Sequence, residues 1–328
     1  MKYSGIGGQA VLEGIMMKNG ENYAVAVRTP EGNIELQEGV YKGAFSGKKW
    51  TKVPFIRGVF AFIDSLILGV RCLMYSAQFD AEEIEKEAKK AEKKAEKAGK
   101  KGKADTEKAG ENGEKEPSGG LSKGEMTLTL VLATVIAVGL FMVLPTVLVN
   151  FLKKWVESET LLALIEGFIR LGLFLLYLTA ISRMEDIRRT YMYHGSEHKC
   201  INCLEHGLPL TVENVMKSSK EHKRCGTSFL FLVMAISILL FMLIRVPNLP
   251  LKILSRILLI PVIAGISYEV LRFTGRYDNL FTRIISRPGM WIQGLTTKEP
   301  TEDMVEVAIE AVDRVFDWKA FLKENFPE

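Results

Sequence analysis

Four long apolar runs, residues 126–152, 160–182, 226–244 and 253–273, constrain this 328-residue chain more than any other feature. The first and third carry no charge, the second is broken only by Glu166 and Arg170, and the fourth by Arg256, Glu269 and Arg272. A hydrocarbon layer of ~30 Å is crossed by about 20 helical residues, and each run reaches or approaches that length. The pattern predicts a mainly α, polytopic helical membrane protein with about four transmembrane helices, two in residues 125–182 and two in residues 226–274. Glu166 and Arg170 stand four apart, so they are expected to pair on one helix face and lower each other's burial cost.

Bulk composition hides this plan, because 25% of the residues are charged while the mean hydropathy is +0.11. The charges are local. Residues 80–125 hold 12 Lys and 13 Asp/Glu, leaving 31 of the 43 Lys/Arg and 26 of the 39 Asp/Glu for the rest of the chain. A net charge of +4 distributed in this way is not a nucleic-acid signature. The central connector, residues 183–225, carries eight Lys/Arg, whereas the two short connectors carry two each, Lys153/Lys154 and Arg245/Lys252. By the positive-inside rule the connector and both termini are expected in the cytoplasm of a bacterial inner membrane. The first residues lack a basic start followed by an apolar core, so no export signal is expected.

The remaining segments divide by composition. Residues 1–52 read as a small β-rich cytoplasmic unit, with strands over 23–27 and 34–40 around the turn-rich 30–33. Residues 53–79 follow helical spacing with Arg57, Asp64 and Arg71 on one face, which suits an amphipathic interfacial or re-entrant helix; their length leaves a crossing open. Residues 80–124 are a charged low-complexity linker of Lys, Glu and Ala, and residues 275–328 a cytoplasmic C-terminal segment with an amphipathic helix around 304–316.

All four histidines, and three of the four cysteines, lie in the polar connector 183–225. It contains His194-Gly-Ser-Glu197-His198 and ends on His222-Lys-Arg-Cys225. On a helix His194 and His198 stand one turn apart with Glu197 beside them, the arrangement in which two imidazoles hold Zn2+ and a carboxylate serves as general base. A third ligand is expected first from His222, the strongest remaining neutral nitrogen donor, then from Glu269, then from Cys225. Arg224 is placed to stabilise an oxyanion or a substrate phosphate. Cytosolic thiols stay reduced, so disulfides are not expected. Cys200-x-x-Cys203 lacks a matching second pair, and His206 is expected on a solvated turn.

Six blocks carry a resemblance: residues 7–17, 193–199, 210–214, 222–229, 266–269 and 287–293. In this order they resemble the YqhQ family of bacterial membrane proteins, which has plastid relatives and is termed domain of unknown function 1385. The resemblance covers nearly the whole chain except the charged insert. It implies a predicted metal-dependent enzyme without supplying a substrate, and it makes Gln9, Glu13 and Glu269 expected neighbours of the site. Glu13 meets that expectation only if the N-terminal unit folds against the connector. Lys223 departs from the family's usual Pro, and Cys200 and Cys203 lie outside the blocks, which argues against them as ligands.

Together these features predict a metal-dependent hydrolase of a membrane-proximal substrate, a lipid headgroup or a membrane-protein segment, with a divalent ion, Zn2+ by choice. The other class is a non-catalytic membrane adaptor or assembly factor with a structural metal, docking through the insert and the C-terminal helix. A transporter is disfavoured by the lack of internal repeats.

Overall fold

The computed structural model describes residues 2–45, 47, 48, 51, 53–99, 123–244, 246, 248–277 and 279–327. The polar tail of the charged insert therefore lies outside the described residues. The chain opens with four antiparallel strands in sequential order, β1 (Ile6–Val11), β2 (Gly14–Asn19), β3 (Asn22–Arg28) and β4 (Ile34–Val40). Two-residue turns join the first three, and their registers begin at Val11↔Gly14 and Asn19↔Asn22. Such tight turns need left-handed backbone, supplied by Glu13 (φ 45°) and Gly20 (φ 61°).

Alternation gives the sheet two apolar faces. Ile6, Ile15, Met17, Ala24 and Ala26 share one core with residues from three distant parts of the chain. Val11, Met16, Tyr23, Val25 and Val27 form the other face, covered by Leu68 and Cys72 of α1 (Ile56–Gly99). The two-sided burial explains a hairpin sequence that lacks clean polar alternation.

The membrane helices follow as α2 (Lys123–Val138), a π-helical turn (Gly139–Val143), α3 (Leu144–Leu152) and α4 (Glu159–Ile181), then α7 (Gly226–Leu243) and α8 (Leu249–Arg276). Among the described residues five helical segments are long and apolar enough to cross a membrane: the four expected runs, as Thr127–Leu152, Glu159–Ile181, Gly226–Leu243 and Leu249–Arg276, and Ile56–Phe79, whose crossing the sequence leaves open. The extra one differs in its packing. Residues 68–76 of α1 lie on the sheet, where Ser76 Oγ accepts from Leu12 N at 3.2 Å, while Phe62, Leu66 and Ile67 stay exposed.

The central connector is not a loop. It forms α5 (Glu185–Glu205) and the short α6 (Val212–Lys217), and α5 is buried without interruption from Gly195 to Glu205. The C-terminal segment gives α9 (Leu280–Thr296), α10 (Glu302–Val315) and α11 (Trp318–Asn325). On α10, Met304, Val305, Val307, Ala308, Ala311 and Val312 are all buried against the sheet and α5. Each such side chain contributes roughly 1.5–3 kcal/mol when it is large, so the amphipathic face expected to dock a partner is already occupied. The result is a head of β1–β4, α5, α6 and α10 standing on a helical bundle.

Candidate metal centre

Helix α5 starts with Glu185 and Asp186, which suit the positive end of the helix dipole. Its second half is polar yet buried on all sides, so every polar group needs a partner. Lys199 Nζ donates to Met216 O (2.8 Å) and Ser218 O (2.9 Å), and Asn202 Nδ2 to Ser219 O (2.7 Å) and Glu221 O (2.8 Å). These bonds strap residues 216–221 along the helix. They bring Lys220 O to His198 and lead the chain directly into His222 and Cys225.

His194 Nδ1 lies 2.9 Å from Thr296 O, and His198 Nδ1 lies 2.6 Å from Lys220 O. A carbonyl only accepts, so each neutral ring keeps its proton on Nδ1 and leaves the Nε2 lone pair free. His194 Nε2 points at Cys225 Sγ, 3.2 Å away, and the rings of His194 and His198 are 4.4 Å apart. One ligand atom from each of His194, His198 and Cys225 falls within a 4.8 Å group. Cys225 is the N-cap of α7 and accepts from Thr227 N at 3.4 Å.

Three lone-pair donors converging in a buried space repel one another unless a cation sits among them. Burial alone raises the Cys225 thiol, but His194 and His198 outweigh it and hold the thiol well below its ordinary value. Burial lowers His194, yet the Cys225 thiolate and Glu197 carry it up to about 9. The backbone carbonyls on both Nδ1 atoms are the outer-shell partners that metal-ligating histidines use, and two nitrogens with one sulfur are a zinc-type donor set that leaves a fourth position open. The residues present fit a divalent ion.

Glu197 is buried beside this group, and the Gly8 backbone amide hydrogen-bonds to its carboxylate. A Cβ at Gly8 would lie 2.7 Å from Met16 O and 3.0 Å from Glu197 Cδ, so only glycine lets β1 pass this close. Burial raises the Glu197 carboxyl above its usual range, and the two histidines oppose that only in part. A cleft of about 600 Å³ opens on the far side of Gly7 and Gly8, between the sheet and α1, with Arg224 in its wall.

The sequence-predicted residues separate at this point. His194, His198 and Cys225 come together, with Glu197 adjacent. His222, expected as the leading third ligand, sits with its ring 5.7 Å from that of His198, but its Nε2 faces Glu205 Oε2 at 3.6 Å. Glu269 does not join the group. Arg57 binds it through two nitrogens at 2.7 and 2.5 Å, and Phe55 N adds a third bond at 3.2 Å. Arg224 turns away from the sulfur, pairs with Glu205 and stacks 4.4 Å over the Tyr3 ring. Glu13 is held by Arg189 and Gln9 lies against Gly69, so neither supplies a ligand. Cys200 and Cys203 are buried in the head core, and burial pushes the Cys200 thiol well above its ordinary value.

Two residues of the site escaped the sequence reading. Glu205 accepts from Ser4 N (2.9 Å) and Ser4 Oγ (2.8 Å) and balances Arg224, with His222 Nε2 3.6 Å from its other oxygen. Although burial raises it, His222 and Arg224 hold its carboxyl down to about 2. Gln293, fully buried, clamps His222 by accepting from its N (3.0 Å) and donating to its O (2.8 Å). A signal for Glu205 was present: His194, His198, Asn202 and Glu205 follow 4-4-3 spacing and share one face of α5. Gln293 is marked only by its place in the block 287–293.

Comparison with known proteins agrees with this distribution of residues. The family model described as "Protein of unknown function (DUF1385)" matches residues 53–318, which include α5, the 216–225 strap, Cys225 and Gln293. The relative named "Uncharacterized protein YqhQ" from Bacillus subtilis (strain 168) is 33% identical over 321 residues, covering 97% of this chain and 94% of its own. No solved structure matches the chain. The match over most of the length, and with it the segments that build the His/Cys group, establishes that the chain belongs to the DUF1385 family.

Proposed function

We propose that this protein is a metal-dependent hydrolase of a bacterial inner membrane, holding a divalent ion, Zn2+ by donor type, at its cytoplasmic face. The convergence of His194 Nε2 and His198 with Cys225 Sγ, both histidines oriented through Nδ1 by backbone carbonyls, is the observation that carries the reading. A divalent ion bound there supplies Lewis acidity to a water and to a substrate carbonyl or phosphoryl oxygen. Glu197 is the proton acceptor: burial raises its carboxyl toward the range suited to general base work. The Gly8 amide fixes that carboxylate in place. Arg224, paired with Glu205 and lining the cleft beyond Gly8, helps to bind the substrate and does not stabilise charge at the ion. The substrate is a membrane-proximal lipid headgroup or protein segment, since the head stands directly on the bundle.

Chain parity supports the topology. β1–β4, α5 and α10 share one core, so they lie on one side of the membrane. That holds if α2–α3, α4, α7 and α8 cross and α1 lies along the interface without crossing; a crossing by α1 as well would put the sheet and α5 on opposite sides. The eight Lys/Arg of residues 183–225 favour the cytoplasm for that side.

The burial of His198 (1% exposed) and Cys225 (4% exposed) favours a second reading, in which the ion is structural and stiffens the head of a membrane adaptor. Glu197→Gln separates the two. Cells relying on wild-type, Glu197→Gln or His198→Ala protein are compared by membrane lipid and peptide profiles, with the ion content of each purified protein. A hydrolase predicts that Glu197→Gln keeps its ion yet accumulates the same uncut species as His198→Ala. Profiles for Glu197→Gln that match wild type would end the hydrolase reading and leave the adaptor.

A further inference from the structure

We propose a second site in the bundle, for a phosphate-bearing anion, at the end opposite the His/Cys group. Glu166 and Arg170 do pair, at 3.2 Å, but they belong to a larger cluster. Arg256 contacts the same Glu166 carboxylate, and Lys252 Nζ lies 3.3 Å from its other oxygen. Glu166, Arg170 and Arg256 are buried at 1%, 6% and 3% exposure. Three cations thus share one carboxylate, an excess of two positive charges among membrane helices, where charges are costly and mark functional sites.

The neutral groups around them serve both signs of charge, since Thr146 Oγ1 donates to Glu166 Oε1 at 2.8 Å while the others accept from the arginines. Arg170 Nε donates to Phe141 O at 2.8 Å, a carbonyl in the π-helical turn Gly139–Val143, and Nη1 donates to Ser237 Oγ at 3.2 Å. Arg256 Nη1 donates to Thr146 Oγ1 at 2.8 Å. Both guanidiniums stack on the Phe241 ring, 5.1 and 4.6 Å from its centroid. A π-turn inside a helix frees a carbonyl and recurs at functional positions.

Lys252 is the least buried member of the cluster. Lys252 stands in the first turn of α8, which Asn248 caps, and its side chain is 15% exposed. Lys153 is close enough to repel it and pairs with an exposed partner, Glu159, at 3.2 Å. Glu166 is seven residues into α4, roughly 10 Å at 1.5 Å per residue, within reach of the interfacial layer. Ser237 is twelve residues along α7 from Cys225, roughly 18 Å, so this is not an extension of the metal centre. Ammonium and guanidinium donors are the groups that bind phosphate oxygens, and an anion of one or two charges restores the balance. A lipid phosphate reaching in from the leaflet and free phosphate share that chemistry.

The test uses full-length protein in neutral detergent, offered phosphatidylglycerol, phosphatidylcholine or inorganic phosphate. Binding is read by native mass spectrometry and by thermal unfolding. Wild type, Lys252→Gln and Lys319→Gln, a substitution on the head, are compared. Lys252→Gln leaves Glu166 with both arginines, so its fold is retained even where Arg256→Gln fails to accumulate. Preferential retention of phosphatidylglycerol over phosphatidylcholine, weakened about tenfold by Lys252→Gln and unchanged by Lys319→Gln, establishes a lipid-phosphate site. Stabilisation by inorganic phosphate with the same dependence, and without a lipid preference, assigns the site to the free anion. No preference for either anion, or one that Lys252→Gln does not alter, overturns the proposal.

Discussion

Gly195 lies between His194 and the buried Ser196 on α5, and it is where packing and the proposed metal centre are coupled most tightly. A Cβ at this position would lie 2.0 Å from Lys298 O and 3.4 Å from Pro300 Cδ. The first is a backbone atom, pinned by Lys298 N donating to Tyr191 O at 2.9 Å, so no side chain can swing aside. Gly195→Ala must push the 296–298 segment back by roughly 1 Å in a close-packed interior. Helix propensity favours Ala by about 1 kcal/mol, and overpacking costs about 1–3 kcal/mol or more. We expect a net destabilisation of about 1–2 kcal/mol, a fall in Tm of about 2–6 °C for a chain of this size. The same displacement withdraws Thr296 O from His194 Nδ1, so zinc affinity should drop by about 10–100-fold, the usual cost of losing an outer-shell partner. Gly294→Ala is the control, because nothing lies within 4 Å of its Cβ and α9 should be unharmed or slightly stabilised. The assay pairs thermal unfolding in detergent with zinc competition against a chelator. Wild-type unfolding and wild-type zinc affinity in Gly195→Ala would refute both the clash and the coupling.

Glu205 has a depressed folded pKa, so its stabilisation is present above the ordinary carboxylate value of 4.5 and is lost as pH falls from there toward about 2. The shift corresponds to about 3 kcal/mol; acid unfolding curves of Glu205→Gln should lose that limb and start from a lower neutral-pH stability, since Arg224 keeps no counter-charge. His194 is raised to about 9, so on the proposed function a zinc ion would have to displace its proton. Apparent zinc affinity should rise by about tenfold per pH unit between 7 and 9 and then level off, read by chelator competition at fixed pH.

The spans and the His-x-x-Glu-His face were legible because both depend on local periodicity. Uncharged runs identify bilayer helices, and residues four apart share a helix side wherever that helix goes. What the sequence could not show was tertiary. The connector looked like a polar loop because α5 buries its polar side chains with backbone carbonyls of residues 216–221 and with strands from the N-terminus. Its apolar neighbours come from three separated segments. Glu269 looked like a ligand because its cation, Arg57, is 212 residues away. The α10 stripe looked free for the same reason, as its partner face belongs to β2 and β3. Donor strength favours His222, yet its Nε2 faces Glu205 on the same stripe at 3.6 Å, and it is Cys225 that gathers with His194 and His198.

Elemental analysis of detergent-purified wild type beside His198→Ala and Glu269→Gln tests the metal centre most directly. About one zinc per chain in wild type and in Glu269→Gln, with none retained by His198→Ala, is the expected result. Wild-type protein without a stoichiometric transition metal, or His198→Ala that keeps it while Glu269→Gln loses it, would contradict a centre built on His194, His198 and Cys225.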